Sequence, residues 1–394
     1  MRASWMGEVM MSSSESVRGA AGVPVLAITL LRAKFVRKGL YRSAGFVYWI
    51  ALTSEALPPR PRVTSPRPAR EIRPSGISLA KLTNMTRRSS TIDELYTRTA
   101  EDASRAVIAS YSTSFGLAVR LLGARNRHHI RNIYALVRIA DEIVDGLALE
   151  AGLDEAEQRE MLDGFASATH AALRNGISDN LVIHAFARTA RAAGIDAELI
   201  DPFFASMRAD LGSADAGSGR RTEAATASPV RGFDAKEHAE YVFGSAEVVG
   251  LMCLKVFLID HDRTPAEVAR LEYGARQLGA AFQNVNFLRD LADDDQRLGR
   301  SYLTSGHRLT EAEKAEWVNT IRQQLDAAQD AITGLPKDAR TAVRCACALF
   351  TALTDRIAAT PVAELYRQRV RVPSAVKARL TAHAVMTSAR EGRK

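Results

Sequence analysis

The chain contains 394 residues, of which 46% are hydrophobic and 25% are charged. This composition is typical of a soluble globular protein and excludes collagen-like, wholly disordered and polytopic membrane chains. The three cysteines, Cys253, Cys345 and Cys347, are too few for a disulfide framework and lack the neighbouring ligands of a zinc site. We therefore expect a reduced, cytoplasmic compartment.

The net charge of +8 is concentrated at the N-terminus. Residues 1–84 hold 13 basic and 4 acidic residues, which leaves 40 basic against 41 acidic residues for 85–394. Binding to a phosphate backbone needs clustered cations on a folded surface, so this distribution gives no indication of such binding. We expect no nucleic-acid partner.

Residues 1–84 are expected to form a disordered N-terminal extension. They contain seven of the 13 prolines and show no sustained helical or alternating period. Two explanations stay open: an Arg- and Ser-rich leader, or a reading frame extended upstream of a start at Met85. The apolar runs 22–31 and 46–52 are shorter than the roughly 20 residues of a membrane span.

From Ser90 onward, apolar residues recur at the three- and four-residue spacing of amphipathic helices. A first helical stretch runs to Ser110, and no later run alternates convincingly as a strand. We predict an all-α fold, with 85–394 as a single helical domain and a mobile loop at 212–231, rich in Gly, Ser, Ala and Thr. The further predicted helices are 127–149, 153–174, 178–193, 236–260, 265–297, 310–333, 337–358 and 373–390.

Two of these helices each carry a pair of aspartates on one face. In the first, Tyr134, Arg138, Asp141 and Asp145 share a face, because each residue advances about 100° around the axis. An apolar stripe borders this face, so the carboxylates lie beside the buried side of the helix. Like charges four residues apart repel and are costly to bury, so the pattern calls for a compensating cation.

The second helix repeats the arrangement with Gln283, Asn286, Asp290 and Asp294. Carboxylate and amide oxygens suit Mg²⁺, which proteins usually hold through one or two carboxylates, water and phosphate oxygens. A single pair is more often a solvated helix face, whereas two pairs, each with an arginine upstream, predict opposed walls of one cavity. Mg²⁺ would let these walls hold a diphosphate and make it a better leaving group.

Four motifs occur in order along the chain. The motifs are Tyr111-Ser-Thr-Ser-Phe115, Tyr134-x-x-x-Arg138-x-x-Asp141-Glu-Ile-Val-Asp-Gly146, Tyr241-x-x-x-x-Ala246-x-x-x-Gly250, and Gln283-x-x-Asn286-x-x-Arg289-Asp290 followed by Gly299-Arg300-Ser-Tyr302. In these motifs the chain resembles the squalene/phytoene synthase family over roughly 95–390, and most of all its bacterial phytoene synthases.

The resemblance implies a class I isoprenoid synthase fold, one helical bundle around a deep central cavity. It further implies a Mg²⁺-dependent prenyltransferase of carotenoid biosynthesis, with Mn²⁺ as an alternative metal. Two molecules of geranylgeranyl diphosphate would condense head to head, through a cyclopropyl diphosphate, to phytoene. No NADPH requirement is expected, and peripheral contact with a membrane is plausible because the product is oily.

The same resemblance assigns roles to individual residues. Small residues, Ala246 and Gly250, would leave room for an isoprenoid tail, and Arg138 and Arg289 would contact diphosphate or substrate. The metal ligands would be Asp141, Asp145, Asn286, Asp290 and Asp294, whose four aspartates form the catalytic set. Further substrate-site positions are Tyr111, Ser112, Thr113, Ser114, Tyr134 and Gln283.

The chain departs from the family pattern at several positions. Glu247 stands where many members have glycine, and Phe350 stands where many have tyrosine. The spacing from Asp294 to Arg300 is one residue longer than usual. Two alternatives stay open: a squalene or dehydrosqualene synthase that uses farnesyl diphosphate, and a non-catalytic helical binding or assembly module.

Overall fold

The structure, a computed structural model, describes residues 91–112, 114–211, 231–293, 300–304 and 307–391. The predicted extension 1–84 and nearly all of the predicted mobile loop lie outside the described residues. So do two predicted site residues, Thr113 and Asp294.

Helices dominate the described residues, which confirms the all-α prediction. A π-helix, Phe243–Glu247, joins α8 to α9, and two short strands, β1 (Arg231–Gly232) and β2 (Arg300–Ser301), pair in parallel with Arg231 opposite Arg300. The helices, numbered along the described residues, are α1 (Ile92–Tyr111), α2 (Ser114–Arg120), α3 (Ala124–Val144), α4 (Leu147–Glu150), α5 (Glu155–Asn175), α6 (Leu181–Ala193), α7 (Ala197–Asp210), α8 (Ala235–Val242), α9 (Val248–Leu258), α10 (Pro265–Asp293), α11 (Glu311–Ile332), α12 (Lys337–Ala359), α13 (Val362–Leu365) and α14 (Ser374–Glu391).

Local side-chain chemistry sets many of the helix ends. Reciprocal capping boxes at Thr91, Asp154, Asp234 and Thr310 begin α1, α5, α8 and α11, because each side chain accepts a backbone N–H that the first turn leaves unpaired. Glycines with positive φ, Gly176 and Gly194, end α5 and α6. These signals explain why most predicted boundaries agree with the structure within three residues.

Three features differ from the predicted helices. The segment predicted as 127–149 breaks at Gly146, where the Glu142 carboxylate accepts the Leu147 N–H and leaves no room for a Cβ. Helix α7 has no counterpart among the predicted helices, because Pro202 in its interior removes a backbone donor and reads as a break. The predicted helix 236–260 contains the π-helix, which a simple 3.6-residue period does not indicate.

Two clusters of buried apolar side chains form the core. Helix α3 contributes Ile133 and Leu136 to the first cluster, together with Phe186 of α6 and Phe203 of α7. Helix α10 contributes Leu288 to the second cluster, where it joins residues of α11 and α12. Each acidic helix is therefore held mainly by a different cluster, and residues of both clusters line the cavity described below.

Helix α10 packs closely against the π-helix and α9 because glycines stand at the contacts. A Cβ on Gly250 would lie 2.5 Å from the carbonyl oxygen of Ala275, and one on Gly279 would lie 2.5 Å from that of Ala246. The family resemblance assigned Gly250 to making room for a substrate tail. Gly250 does line the cavity, yet the close approach of α10 by itself already requires glycine there.

Within the described residues, one helical stretch, Ala235–Leu258, is long and apolar enough to cross a membrane by length and composition alone. Its mean hydropathy is 1.6, and 44% of the apolar window is buried inside the protein. Because several of its residues line the internal cavity, its apolar character has an explanation within the fold.

Candidate active site

A single large cavity of about 2220 Å³ receives both acidic helices. It is more than twice the size of a small-molecule pocket, which typically measures about 300–1,000 Å³. The predicted site residues that line it are Tyr111, Ser112, Tyr134, Arg138, Asp141, Asp145, Gln283, Asn286, Arg289 and Asp290. Ser114 begins α2, and its side chain lies outside the description, as do Thr113 and Asp294. Asp141 and Asp145 of the first acidic helix and Asp290 of the second therefore line one cavity.

The first wall is a strongly acidic patch held by one arginine. Arg138 lies 3.6 Å from Asp141, forms an ion pair with Glu142, and covers the ring of Tyr111 at 4.4 Å. Desolvation in the cavity wall is the main cause that raises the pKa of Asp141 to about 7; Arg138 opposes this shift, and the charges of Asp145, Asp210 and Glu142 contribute to it. The side chain of Asp141 is 40% exposed and borders the cavity, where a cation can reach it.

The second wall centres on Asp290, which forms ion pairs with two arginines. Arg289 approaches its oxygens at 2.5 and 2.9 Å, and Arg369 approaches them at 2.6 and 3.1 Å. Arg369 belongs to the segment between α13 and α14, far along the chain from α10. Because Arg371 and Lys377 also line the cavity, its lining combines carboxylates with cationic side chains, as recognition of a metal-bound polyanion requires.

A third carboxylate joins the site from α7. Asp210 is 8% exposed and accepts hydrogen bonds from the Tyr241 hydroxyl at 2.6 Å and the Tyr302 hydroxyl at 2.8 Å. All three residues line the cavity. Burial, and next the negative charge of Asp210, raise the pKa of Tyr241 well above its usual value, so Tyr241 remains a neutral phenol.

Three helices each place an aspartate of their last turn in the cavity lining. These are Asp141 of α3, which ends at Val144, Asp210 of α7, which ends at Asp210, and Asp290 of α10, which ends at Asp293. The unpaired carbonyls of a helix C-terminus carry about half a negative charge, so carboxylates are disfavoured there unless a cation binds. Aspartates at three such helix ends around one cavity favour a cation site.

The donor atoms present fit Mg²⁺. Asp141, Asp145 and Asp290 supply hard oxygens, and the Oδ1 atom of Asn286 is buried with no hydrogen-bond partner within the described part of the chain. An amide oxygen left in this state is costly unless it meets a ligand. Among the described residues, no three His, Cys, Asp or Glu side chains are grouped so that they could hold a metal ion by themselves, which agrees with a Mg²⁺ site completed by water and phosphate oxygens.

The interior of the cavity is apolar and aromatic. Phe282 stacks on Phe350 with ring centroids 3.6 Å apart, and Phe115 stacks on Tyr134 at 5.5 Å. Phe350, which lacks the hydroxyl common in the family, therefore supplies an aromatic face to the cavity instead. Such a lining can exclude water from a long hydrocarbon chain and stabilise a cation against its ring faces.

Glu247 does not place its charge in the cavity. Its carboxylate forms an ion pair with Arg276 of α10 at 2.6 Å, and Arg276 also covers the Phe243 ring at 5.3 Å. The departure from glycine at this position therefore links the π-helix to α10 and leaves the cavity lining unaltered.

Two site residues escaped the sequence analysis as functional groups. Asp210 carried a usable signal, because an aspartate at the end of an apolar helix opposes the helix dipole. Arg369 carried no such signal, because its pairing with Asp290 joins residues 79 positions apart and leaves no local pattern.

Comparisons with known proteins agree with this geometry. A profile of the squalene/phytoene synthase family matches residues 108–375. A chloroplastic phytoene synthase of Zea mays is 28% identical over 69% of this chain and 62% of its own length. A 15-cis-phytoene synthase of Paracoccus sp. is also 28% identical, over 68% of this chain and 86% of its own length. The chain thus spans less than two thirds of the maize protein but most of the bacterial one.

Solved structures share the fold. A dehydrosqualene synthase superposes with a TM-score of 0.58 at 18% identity, covering 74% of this chain and 97% of that one. The squalene synthase HpnC from Alicyclobacillus acidocaldarius gives a TM-score of 0.53 at 16% identity, over 68% and 97% of the two chains. With its profile match and its two acidic helices around one cavity, the chain belongs to the squalene/phytoene synthase family.

Proposed function

We propose that the protein is a Mg²⁺-dependent prenyltransferase that condenses two molecules of geranylgeranyl diphosphate head to head to phytoene. The observation that carries the proposal is one cavity whose lining combines aspartates and arginines with many apolar and aromatic residues. A volume of about 2220 Å³ gives room for two long prenyl chains side by side.

The aspartates and the arginines of the cavity would have different roles. Asp141, Asp145, Asn286 and Asp290, with Asp294, would hold the metal, which when bound assists departure of diphosphate as a Lewis acid. Residues Arg138, Arg289 and Arg369 would bind and orient the diphosphate groups. Charge-assisted contacts of this kind fix the leaving oxygen before the C–O bond breaks.

The apolar lining would protect the reactive carbon centres. Heterolysis of the first C–O bond leaves an allylic cation, which the double bond of the second substrate attacks to give a tertiary cation. Loss of a proton closes the ring of a cyclopropyl diphosphate. A second ionisation, rearrangement and loss of a second proton then yield the linear hydrocarbon. Each cation would be captured by water in an open site, so the aromatic walls formed by Phe115, Tyr134, Phe282 and Phe350 would exclude water while these steps occur.

The chain would work in the cytoplasm, with peripheral membrane contact for release of the product. We propose that the catalytic domain is 85–394, because the sequence of 1–84 shows no sustained helical period. No NADPH is required for the phytoene reaction, whereas squalene formation would consume a reductant.

Product identification with the purified full-length protein tests the proposal. It would be incubated with Mg²⁺ or Mn²⁺ and either geranylgeranyl or farnesyl diphosphate, with and without NADPH. We expect phytoene from the C20 substrate, with no dependence on NADPH. Coupling of the C15 substrate alone would establish the squalene or dehydrosqualene alternative, and no coupling of either would favour a non-catalytic binding module.

Matched variants test the metal walls. Asp141→Asn and Asp290→Asn each remove one negative charge at nearly constant volume, and we expect each to lower kcat/KM at least about 100-fold with an unchanged melting temperature. Asp355→Asn breaks an exposed ion pair with Arg322 and serves as the control. Full activity of either cavity variant would refute the assignment.

A further inference from the structure

Helix α3 lines the cavity with two opposite faces. Asp141 belongs to the face that carries the acidic pair, whereas Ile139 and Ile143, which also line the cavity, are each two residues away from it. Two residues correspond to about 200° around a helix axis, so these isoleucines lie on the far side of α3. The cavity therefore continues around α3 into a second compartment. This compartment, called the crevice below, has an apolar lining formed by Ile139, Ile143, Leu153, Phe165, Ala168 and Ile183.

Helix α5 forms one wall of the crevice. The side-chain amide of Gln158 donates hydrogen bonds to the carbonyl oxygens of Ile143 and Val144 at 3.1 Å, which holds α5 against the end of α3. Residues three and four apart share a helix face, and one such stripe of α5 lines the cavity with Met161, Gly164, Phe165 and Ala168. A Cβ on Gly164 would meet nothing within 4 Å, so there is open space beside this stripe.

The crevice has an apolar outer end. Leu147 of α4 is 69% exposed and Met161 of α5 is 47% exposed, and both side chains also line the cavity. Exposed apolar surface is unfavourable in water by about 25 cal/mol per Å². The two residues therefore give the crevice an apolar border with the surroundings of the protein.

The crevice differs from the catalytic compartment in charge. In the described part of the chain, no basic side chain of α4, α5 or α6 lines the cavity, whereas the carboxylates of Glu150 and Asp179 do. A diphosphate would find no cation there and would be repelled by these carboxylates. The basic residues of the cavity belong to α3, α10 and the C-terminal segment, and are Arg138, Arg289, Arg369, Arg371 and Lys377. The chemistry of the crevice thus suits a neutral apolar molecule.

We infer that the crevice binds the neutral hydrocarbon product and is the route by which this product leaves the catalytic compartment. The inference rests on the proposed function. Coupling removes both diphosphates, so the product keeps no group that the arginines can bind. An apolar chain is more stable against side chains such as Ile139, Ile143 and Phe165 than beside charged groups. Release forms and breaks no covalent bond.

The test uses Gly164→Trp in the full-length protein, because an indole ring would occupy the open space beside α5. None of the residues proposed to bind the metal or diphosphate belongs to α5, so coupling itself should be preserved. In rapid-quench experiments with excess geranylgeranyl diphosphate, we expect the first turnover within about twofold of the wild-type rate and later turnovers at least about fivefold slower. About one hydrocarbon molecule per protein should then remain bound after gel filtration, and less in the wild type.

Two matched variants separate blockage from a general effect of substitution in α5. Ser167→Trp adds the same ring three residues further along α5, at an exposed position that does not line the cavity, and it should leave both phases unchanged. Gly164→Ala adds only a methyl group and should leave steady-state turnover within about twofold of the wild type. Equal slowing by Gly164→Trp and Ser167→Trp, or a first turnover slowed as much as later ones, would overturn the inference.

The remaining outcomes are also decisive. If Gly164→Trp fails to fold, Met161→Glu takes its place, because it puts a charge at the exposed outer end; wild-type turnover in that variant would refute the role. A dimeric wild type that becomes monomeric in Gly164→Trp, measured by light scattering, would show that a second copy covers the crevice. If the wild type couples neither prenyl diphosphate, the proposed function and the inference fall together. If the wild type is active and Gly164→Trp turns over equally fast, only the role of the crevice is refuted.

Discussion

Adding the same methyl group at two cavity-lining glycines should change stability in opposite directions. At Gly250 the new Cβ would lie 2.5 Å from the carbonyl oxygen of Ala275, about 0.9 Å inside ordinary contact at 3.4 Å. The obstacle is backbone, so α9 and α10 must move apart. At Gly164 in α5 a Cβ would meet nothing within 4 Å, and the residue lies inside a regular helix.

The expected magnitudes follow from these distances. Overpacking costs about 1–3 kcal/mol, and replacing glycine by alanine in a helix returns up to about 1 kcal/mol, so Gly250→Ala should lower the free energy of unfolding by about 1–2 kcal/mol. Gly164→Ala should raise it by about 0.4–1 kcal/mol. For a chain of this size these changes correspond to a melting temperature about 1–3 °C lower and about 0.5–1.5 °C higher.

Thermal unfolding of the two full-length variants, followed by circular dichroism at one scan rate, measures both shifts. Gly279→Ala serves as a second test of the same contact, because its Cβ would lie 2.5 Å from the carbonyl oxygen of Ala246. Equal shifts for Gly250→Ala and Gly164→Ala would show that the close approach of α9 and α10 does not limit stability, and the packing argument would be wrong.

Three further changes should have measurable effects. Arg369→Ala should raise KM for the prenyl diphosphate about tenfold, because a contact to diphosphate is lost. It should also lower the Mg²⁺ concentration needed for half-maximal rate, because Arg369 competes for Asp290 in the free protein. Arg369→Lys should have smaller effects, and a rise in both KM and the required Mg²⁺ concentration would contradict this reasoning. Thr310→Ala removes the capping box of α11 and should lower the free energy of unfolding by about 1 kcal/mol in urea titrations, with Thr333→Ala as the control. The pKa of His129 is lowered to about 4, first by burial and then by His128 and Arg125, so the unfolded chain binds the proton more readily. Stability should therefore fall as the pH drops from about 6.5 towards 4, by up to ~2 kcal/mol after allowance for partial exposure, and His129→Gln should remove that part of the pH dependence.

Much of the fold was predictable because its signals are local. Helical periodicity and capping residues such as Asp154 and Thr310 depend on neighbours within a few positions, so most helices were found with nearly correct ends. Helix α7 was not predicted, because a proline such as Pro202 usually marks the end of a helix, whereas this helix continues through it. The π-helix was missed because its single wider turn hardly alters the apolar pattern.

The candidate site likewise contains some residues that local patterns reveal and others that they do not. Asp141 and Asp290 could be selected from spacing and charge on their own helices, and the structure brings both to one cavity. The partners that fix their surroundings, Arg369 and Asp210, could not be selected so directly. Their contacts span 79 residues to Asp290 and 92 residues to Tyr302, respectively, and no periodic pattern records such pairings.

The sequence by itself determined that this protein is helical and that two of its helices present aspartates beside an apolar stripe, since a helix face is defined by every third and fourth residue. Only the tertiary structure decided which groups meet around those aspartates. Aspartates in the last turns of α3, α7 and α10 line one cavity, two arginines share Asp290, and one buried carboxylate accepts hydrogen bonds from two tyrosines. These arrangements depend on how whole helices pack, because burial and close approach, not spacing along the chain, set the distances between the groups.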